Sequence, residues 1–223
     1  YDHVNDFRRR LLGKGVKSVR QKVFPSILAD CCVIIFATET SVKLAPISPA
    51  ILADFTMRGT SGIAGRTEVA IEEFLRVVKS MDRKPFIVLR IHPKDEPEDY
   101  ATYLSEFDLV SDRGSPLEML FAADLVVGLT SMLLMEAALL GTATLSLCLR
   151  HAETEWSPSA RLGATLAVRT RDALESAFSD PCFPMWPVTD LEDVVSFGAL
   201  ARVADFVKER LAQDEKHCGH QPR

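Results

Sequence analysis

Arg90, His92, Lys94, Gly128, Thr130, Ser131 and Glu136 are the residues of this chain whose types and spacing suit chemistry. Arg90-Ile91-His92-Pro93-Lys94 closes an apolar run that starts at Phe86, and Gly128-Leu129-Thr130-Ser131 closes another that starts at Asp124. Ser131 leads into a helix-like stretch with one acid, Glu136, and Gly141 stops it. At such a start the free backbone N–H groups, with Thr130 or Ser131 as the capping hydroxyl, form an anion site. Pro93 restricts His92 to extended geometry, so the imidazole is held at a strand end. There it would bind a phosphate or sugar hydroxyl or move a proton, which makes it the candidate catalytic residue; a purely structural donor is the alternative. Arg90 and Lys94 would steer an anion or sit as surface charges. Glu136 lies among Leu133, Leu134, Met135, Ala137 and Ala138. A carboxylate there needs a partner or water, because unpaired burial is costly. A ribose diol is one such partner; a solvent-facing position is the other reading.

The elements that must position these groups follow from patterning. Residues 31–37 form an unbroken apolar run of the buried-strand type, and 86–91, 107–110, 124–128, 144–149 and 165–168 give further strands. Between them, Val69, Ile71, Phe74, Leu75, Val78 and Met81 recur at helical spacing after Thr67. Ser115-Pro116-Leu117-Glu118 is a helix start, residues 131–140 form the next helix, 170–178 another, and 191–213 a closing helix. Strand–helix alternation predicts an α/β, doubly wound, mostly parallel sheet of Rossmann-like type. In such a sheet the loops at the carboxyl ends of the strands converge on one crevice. Hydroxyls, backbone donors, a carboxylate and a histidine around one crevice suit a phosphorylated sugar nucleotide.

Other segments carry weaker signals. Thr60-Ser61-Gly62-Ile63-Ala64-Gly65-Arg66 reads as a flexible loop or a phosphate nest. Asp112-Arg113-Gly114-Ser115 reads as a capped turn or a contact to a base edge. Arg150 and His151, with Glu153, Glu155 and Trp156, read as a crevice rim.

Composition narrows the classes. A chain of 223 residues with 47% hydrophobic content builds one well-buried domain. A net charge of −5 argues against a nucleic-acid partner. The basic run Arg8-Arg9-Arg10 is a solvated helix face in the plain reading, and supports peripheral membrane association poorly. The 5 cysteines form no C-x-x-C pair, so no metal is expected, and their odd count suits a reducing, cytoplasmic setting.

His92-Pro93, the start at Ser115-Pro116-Leu117-Glu118-Met119-Leu120, the strand Ala123 to Val127 and the block Thr130-Ser131…Glu136-Ala137…Gly141 together carry a resemblance. The chain resembles the carboxyl-terminal, nucleotide-sugar-binding half of GT-B-fold glycosyltransferases and of UDP-N-acetylglucosamine 2-epimerase-like enzymes. The resemblance implies that Thr130 and Ser131 hold phosphate, Glu136 the ribose, and His92 the phosphate or sugar. It implies no cofactor, a UDP- or CDP-linked nucleotide sugar as partner, and a missing amino-terminal Rossmann domain. The family's Ser-Gly-Gly is replaced here by Thr130-Ser131-Met132.

The expected organisation is a basic helical N-terminal or linker segment at 1–25 and a Rossmann-like nucleotide-sugar-binding domain at 26–180. A proline-rich connector and closing helix would follow at 181–213, and a disordered tail at 214–223. The expected function is the donor-binding domain of a glycosyltransferase of bacterial polysaccharide synthesis. Sugar-nucleotide epimerisation or hydrolysis, and a non-catalytic binding or assembly module, are the alternatives.

Overall fold

The computed structural model describes residues 1–27, 30–40, 53–60, 65–179, 183 and 198–218, with the backbone alone at 200 and 210–218. Residues 61–64 of the suggested phosphate nest, the connector around Phe183 and the tail past 218 lie outside the described residues.

The first strand, β1 (Val33–Ala37), is buried along its whole length, as its apolar run predicts. Parallel pairing joins it to β2 (Phe86–Arg90) on one side and to β4 (Leu125–Gly128) on the other. Outside these lie β3 (Leu109–Ser111), β5 (Ala143–Leu147) and β6 (Leu166–Val168), all parallel. The 6-stranded order is β3-β2-β1-β4-β5-β6, so the chain reverses its winding direction between β1 and β4. That point is where a doubly wound sheet opens its crevice.

Both faces of the sheet are covered, and the side chains divide between them with a period of two. Ile34, Phe36, Leu125 and Val127 point into one core, with α3 (Arg66–Lys79) and α8 (Arg171–Phe178) above it. Val33, Ile35 and Val126 point into the other. Over that second face lie α1 (Asp2–Leu12), α2 (Val16–Val23), α4 (Leu117–Ala122) and α5 (Met132–Leu140). In the first core Phe74 meets Phe36 at 5.2 Å and Phe107 at 6.2 Å between ring centroids. These contacts explain why a continuous apolar run, rather than an alternating one, marks the strands here.

The amino-terminal segment packs on the second face of the sheet. Val4, Leu11, Val19 and Phe24 are buried in the second core. Arg20 fastens α2 to the sheet: its Nε donates to the Ala122 carbonyl at 2.8 Å and its Nη2 to Asp124 at 2.7 Å. Asp124 in turn accepts the Val33 N–H at 2.7 Å, so one carboxylate ties the starts of β1 and β4 to the N-terminal helices. Shorter elements complete the chain. Turns of 3-10 helix, Pro97–Tyr100 and Leu104–Glu106, join β2 to β3. The short helices α6 (Glu153–Trp156) and α7 (Pro158–Arg161) follow β5. The closing helix α9 (Ala199–Cys218) continues beyond residue 213, where the sequence pattern placed its end, because polar residues there retain helix propensity.

Candidate functional site

The crevice is set by close packing of strand ends. Gly128 ends β4 so near β1 that a Cβ there would stand 3.2 Å from the Ala37 carbonyl oxygen. Beyond this contact the chain delivers Thr38 and Glu39 from β1, His92 from β2, Thr130 and Ser131 from β4, and Arg150 from β5. Arg66 enters from the first turn of α3. The Ser131 hydroxyl accepts the Leu133 N–H at 3.2 Å and caps α5, as its position predicts.

A network of charges fills the bottom of the crevice. Glu39 accepts the Thr130 N–H at 2.5 Å and the Thr130 hydroxyl at 2.9 Å, and pairs with Arg66 Nη1. Arg66 Nη2 donates to Thr130 Oγ1 at 3.1 Å, and its Nε donates to Glu153 at 2.7 Å. The fully buried Glu153 also accepts from Arg150 Nε at 2.8 Å and from the Leu149 N–H at 2.8 Å. Burial alone would lower the Arg66 pKa, but Glu39 and Glu153 outweigh it and raise it, so the guanidinium stays charged. The arrangement balances Arg66 and Arg150 against Glu39 and Glu153, which is the condition for holding such charges out of water. Arg150 reaches outward as well, its guanidinium carbon lying 5.1 Å from the centre of the exposed Trp156 ring.

The residues expected from the sequence separate into distinct roles. Thr130 and Ser131 lie at the crevice, at the start of α5. His92 stands at its rim, half-buried; its N–H donates to Thr38 Oγ1 at 2.8 Å and its Nδ1 accepts the Lys94 N–H at 3.2 Å. With Nδ1 accepting, a neutral ring carries its proton on Nε2. Lys94 is exposed on the same loop. Arg90 turns elsewhere: it is buried and donates to Ser111 Oγ at 2.8 Å and to the carbonyls of Arg113 at 2.7 Å and Gly114 at 2.8 Å. There it braces the loop after β3. Glu136 is half-buried and faces α1, with His3 Nε2 at 4.0 Å. Burial raises its pKa, and His3 partly offsets that.

Glu39, Arg66 and Glu153 are the residues that sequence reasoning did not join. Arg66 was visible as the end of a loop or phosphate nest and Glu153 as part of a rim. Their partners are 64, 87 and 91 residues away in the chain for the Arg66–Thr130, Arg66–Glu153 and Glu39–Thr130 contacts. Only the rule that strand C-termini converge would have brought Glu39 into the set.

No family model matches this sequence, and no curated protein matches it. Solved structures do. The wall teichoic acid polymerase TagF matches over 99% of this chain and 52% of its own, with TM-score 0.56 and 11% identity. The UDP-GlcNAc 2-epimerase of Methanocaldococcus jannaschii matches over 77% of this chain and 48% of its own, with TM-score 0.48 and 14% identity. The beta Kdo 2,7 transferase KpsC of Thermosulfurimonas dismutans matches over 77% and 47%, with TM-score 0.40 and 19% identity. The chain spans about half the length of these proteins. The TagF match, which runs over nearly the whole chain, shows the fold: a doubly wound, Rossmann-like half of the GT-B type. Among the described residues no helix is long and apolar enough to cross a membrane.

Proposed function

We propose that this chain is the donor half of a glycosyltransferase or related transferase of bacterial cell-surface polysaccharide synthesis, acting in the cytoplasm on a nucleotide-activated substrate. One observation carries the reading: Arg66, Thr130 and the Ser131-capped start of α5 meet at the reversal point between β1 and β4. A cation, a hydroxyl and free N–H groups at that point suit a diphosphate. During transfer they would stabilise the charge that develops on the leaving nucleotide. The imidazole of His92, with its proton on Nε2, would meet the phosphate or the sugar from the β2 side. A second Rossmann half would supply the acceptor.

The test is calorimetric titration of UDP, CDP and GDP, and of their sugar or polyol conjugates, into this chain and into the full-length protein. Selective binding is expected, weakened roughly tenfold or more by Arg66→Ala. His92→Ala should reduce turnover by the full-length enzyme by about a hundredfold while leaving nucleotide affinity within a few-fold. Absence of binding in both proteins overturns the proposal. A second reading, a binding or assembly module on the same fold, is favoured by Glu136, which turns toward α1 instead of the crevice. That reading predicts no nucleotide binding in either protein.

A further inference from the structure

Glu39 does something that the donor-site reading does not require. Its carboxylate already occupies the donors that a ligand phosphate would use: the Thr130 N–H, the Thr130 hydroxyl and the Arg66 guanidinium. We infer that Glu39 is an internal anion that closes this site, and that a phosphorylated ligand binds by displacing it. The inference rests on the reading of the crevice as an anion site, and names what controls entry to it.

Charge balance explains why displacement is required. With Glu39 in place, Arg66 and Arg150 are matched by Glu39 and Glu153, and the crevice has no net positive charge among these residues. A phosphate entering then meets a carboxylate at the same donors, and like charges that close repel strongly. With the Glu39 side chain withdrawn, the two guanidinium groups face only Glu153. One positive charge is then uncovered beside the Thr130 N–H. Glu153 cannot play the same part, because it is fully buried and held by three donors, Arg66, Arg150 and the Leu149 N–H.

The geometry also says which part moves. The Glu39 carbonyl oxygen accepts from Thr67 Oγ1 at 3.3 Å and lies 3.0 Å from the Tyr100 hydroxyl, so its backbone is held to α3 and to the turn at 97–100. Its side chain keeps 21% of its surface exposed, so a path to water is open. Exchange is therefore a rotation of one side chain, with the β1 backbone left in place. The outward carboxylate would regain its hydration, which lowers the cost of leaving its partners.

Inorganic pyrophosphate isolates this step from recognition of any base or sugar. It would be titrated into the wild-type chain, Glu39→Gln and Glu39→Ala, with UDP beside it. Glu39→Gln removes the charge and keeps the shape; Glu39→Ala empties the position. Both are expected to bind pyrophosphate roughly tenfold or more tightly than wild type, and to gain a larger rise in Tm from it. In the wild-type chain, pyrophosphate is expected to shift the Arg66 Nε–H and Thr130 amide resonances together, which holds the test open even if a variant folds poorly. Tighter pyrophosphate binding in the variants supports the displacement, and the nucleotide reading falls separately if UDP, CDP and GDP also fail to bind the full-length protein. UDP binding that is equal in wild type and both variants overturns the displacement and leaves the nucleotide reading standing. Weaker binding in the variants also overturns it, because Glu39 would then be helping to hold the ligand. Pyrophosphate binding by none of these proteins overturns the displacement.

Discussion

Glu136 and Glu39 are both carboxylates close to the start of α5, yet the chain treats them differently. Glu39 is paired with Arg66, whereas Glu136 has His3 Nε2 at 4.0 Å. Burial raises the Glu136 pKa above the usual carboxylate range, with His3 pulling the other way. A carboxyl whose pKa is raised on folding contributes stability below its unfolded pKa of about 4.3 and loses that contribution as pH rises through the folded value. Its charged form is therefore a burden near neutrality. Glu136→Gln is expected to be more stable than wild type by up to about 1 kcal/mol at about pH 7, with the gain vanishing near pH 4. Urea unfolding at both pH values measures it, and a loss of stability at neutral pH would mean that the His3 contact outweighs burial. The same charge logic separates Arg90 from Arg66. Both guanidiniums are largely buried, but Arg90 finds neutral acceptors on one loop, whereas Arg66 finds carboxylates just past the end of β1 and at the start of α6.

At the scale of an element, α5 is defined by its two ends. Ser131 caps the first turn, and Gly141 ends the helix in the left-handed region at φ 89, its N–H turned back to the Ala137 and Ala138 carbonyls. Its middle is apolar, and Leu134, Met135, Ala137, Leu139 and Leu140 are buried. Gly141→Ala should therefore cost about 1 kcal/mol, because a Cβ is strained at that φ whatever space surrounds it. Gly128→Ala is a different case. The added Cβ would meet the Ala37 carbonyl oxygen at 3.2 Å, and both atoms belong to central strands that cannot move apart freely. A destabilisation of about 1–3 kcal/mol is expected, seen as a lower urea midpoint at unchanged slope. This substitution should also weaken pyrophosphate binding by Glu39→Ala, since Thr130 follows directly from the displaced strand end. Gly141→Ala, at the far end of the helix, should leave that binding unchanged.

Over the whole molecule, a second ion network holds the first core's helices together on the side of α3 and α8. Fully buried Glu73 on α3 accepts from Arg171 Nε at 2.9 Å, from Arg76 Nε at 3.1 Å and from the Gly59 N–H at 3.0 Å. Burial would raise its pKa, but the hydrogen bonds from Arg171 and Arg76 outweigh that and hold it below the usual carboxylate range. The sign is thus opposite to that of Glu136. A depressed carboxyl contributes stability above its unfolded pKa and loses it as pH falls through the folded one. Glu73→Gln is expected to cost about 1–2 kcal/mol at about pH 7, a figure reduced because Arg171 is half-exposed, and to cost less as the pH falls below about 4. Acid titration of wild type against the variant, followed by tryptophan fluorescence, measures the difference.

The sequence by itself determined the strands and helices of this protein and their order along the chain. Residues 33–37 read as a strand buried on both faces because every position is apolar, and the helix at 66–79 shows its period of 3.6 in Val69, Ile71, Phe74, Leu75 and Val78. Both signals are local, set by which side chains a neighbouring layer must cover, so they survive being read one segment at a time. The cap at Ser131 and the stop at Gly141 were legible for the same reason. The charge network was not. Arg66 reads as part of a loop or phosphate nest and Glu153 as part of a rim, and nothing in either segment names Glu39; their pairing arises only where the winding reverses between β1 and β4. Tertiary structure likewise decided that Arg90 turns to the loop after β3 and Glu136 to α1. Ionic partners are chosen by distance in space, and in a parallel sheet the residues that meet come from strand ends separated by a whole crossover.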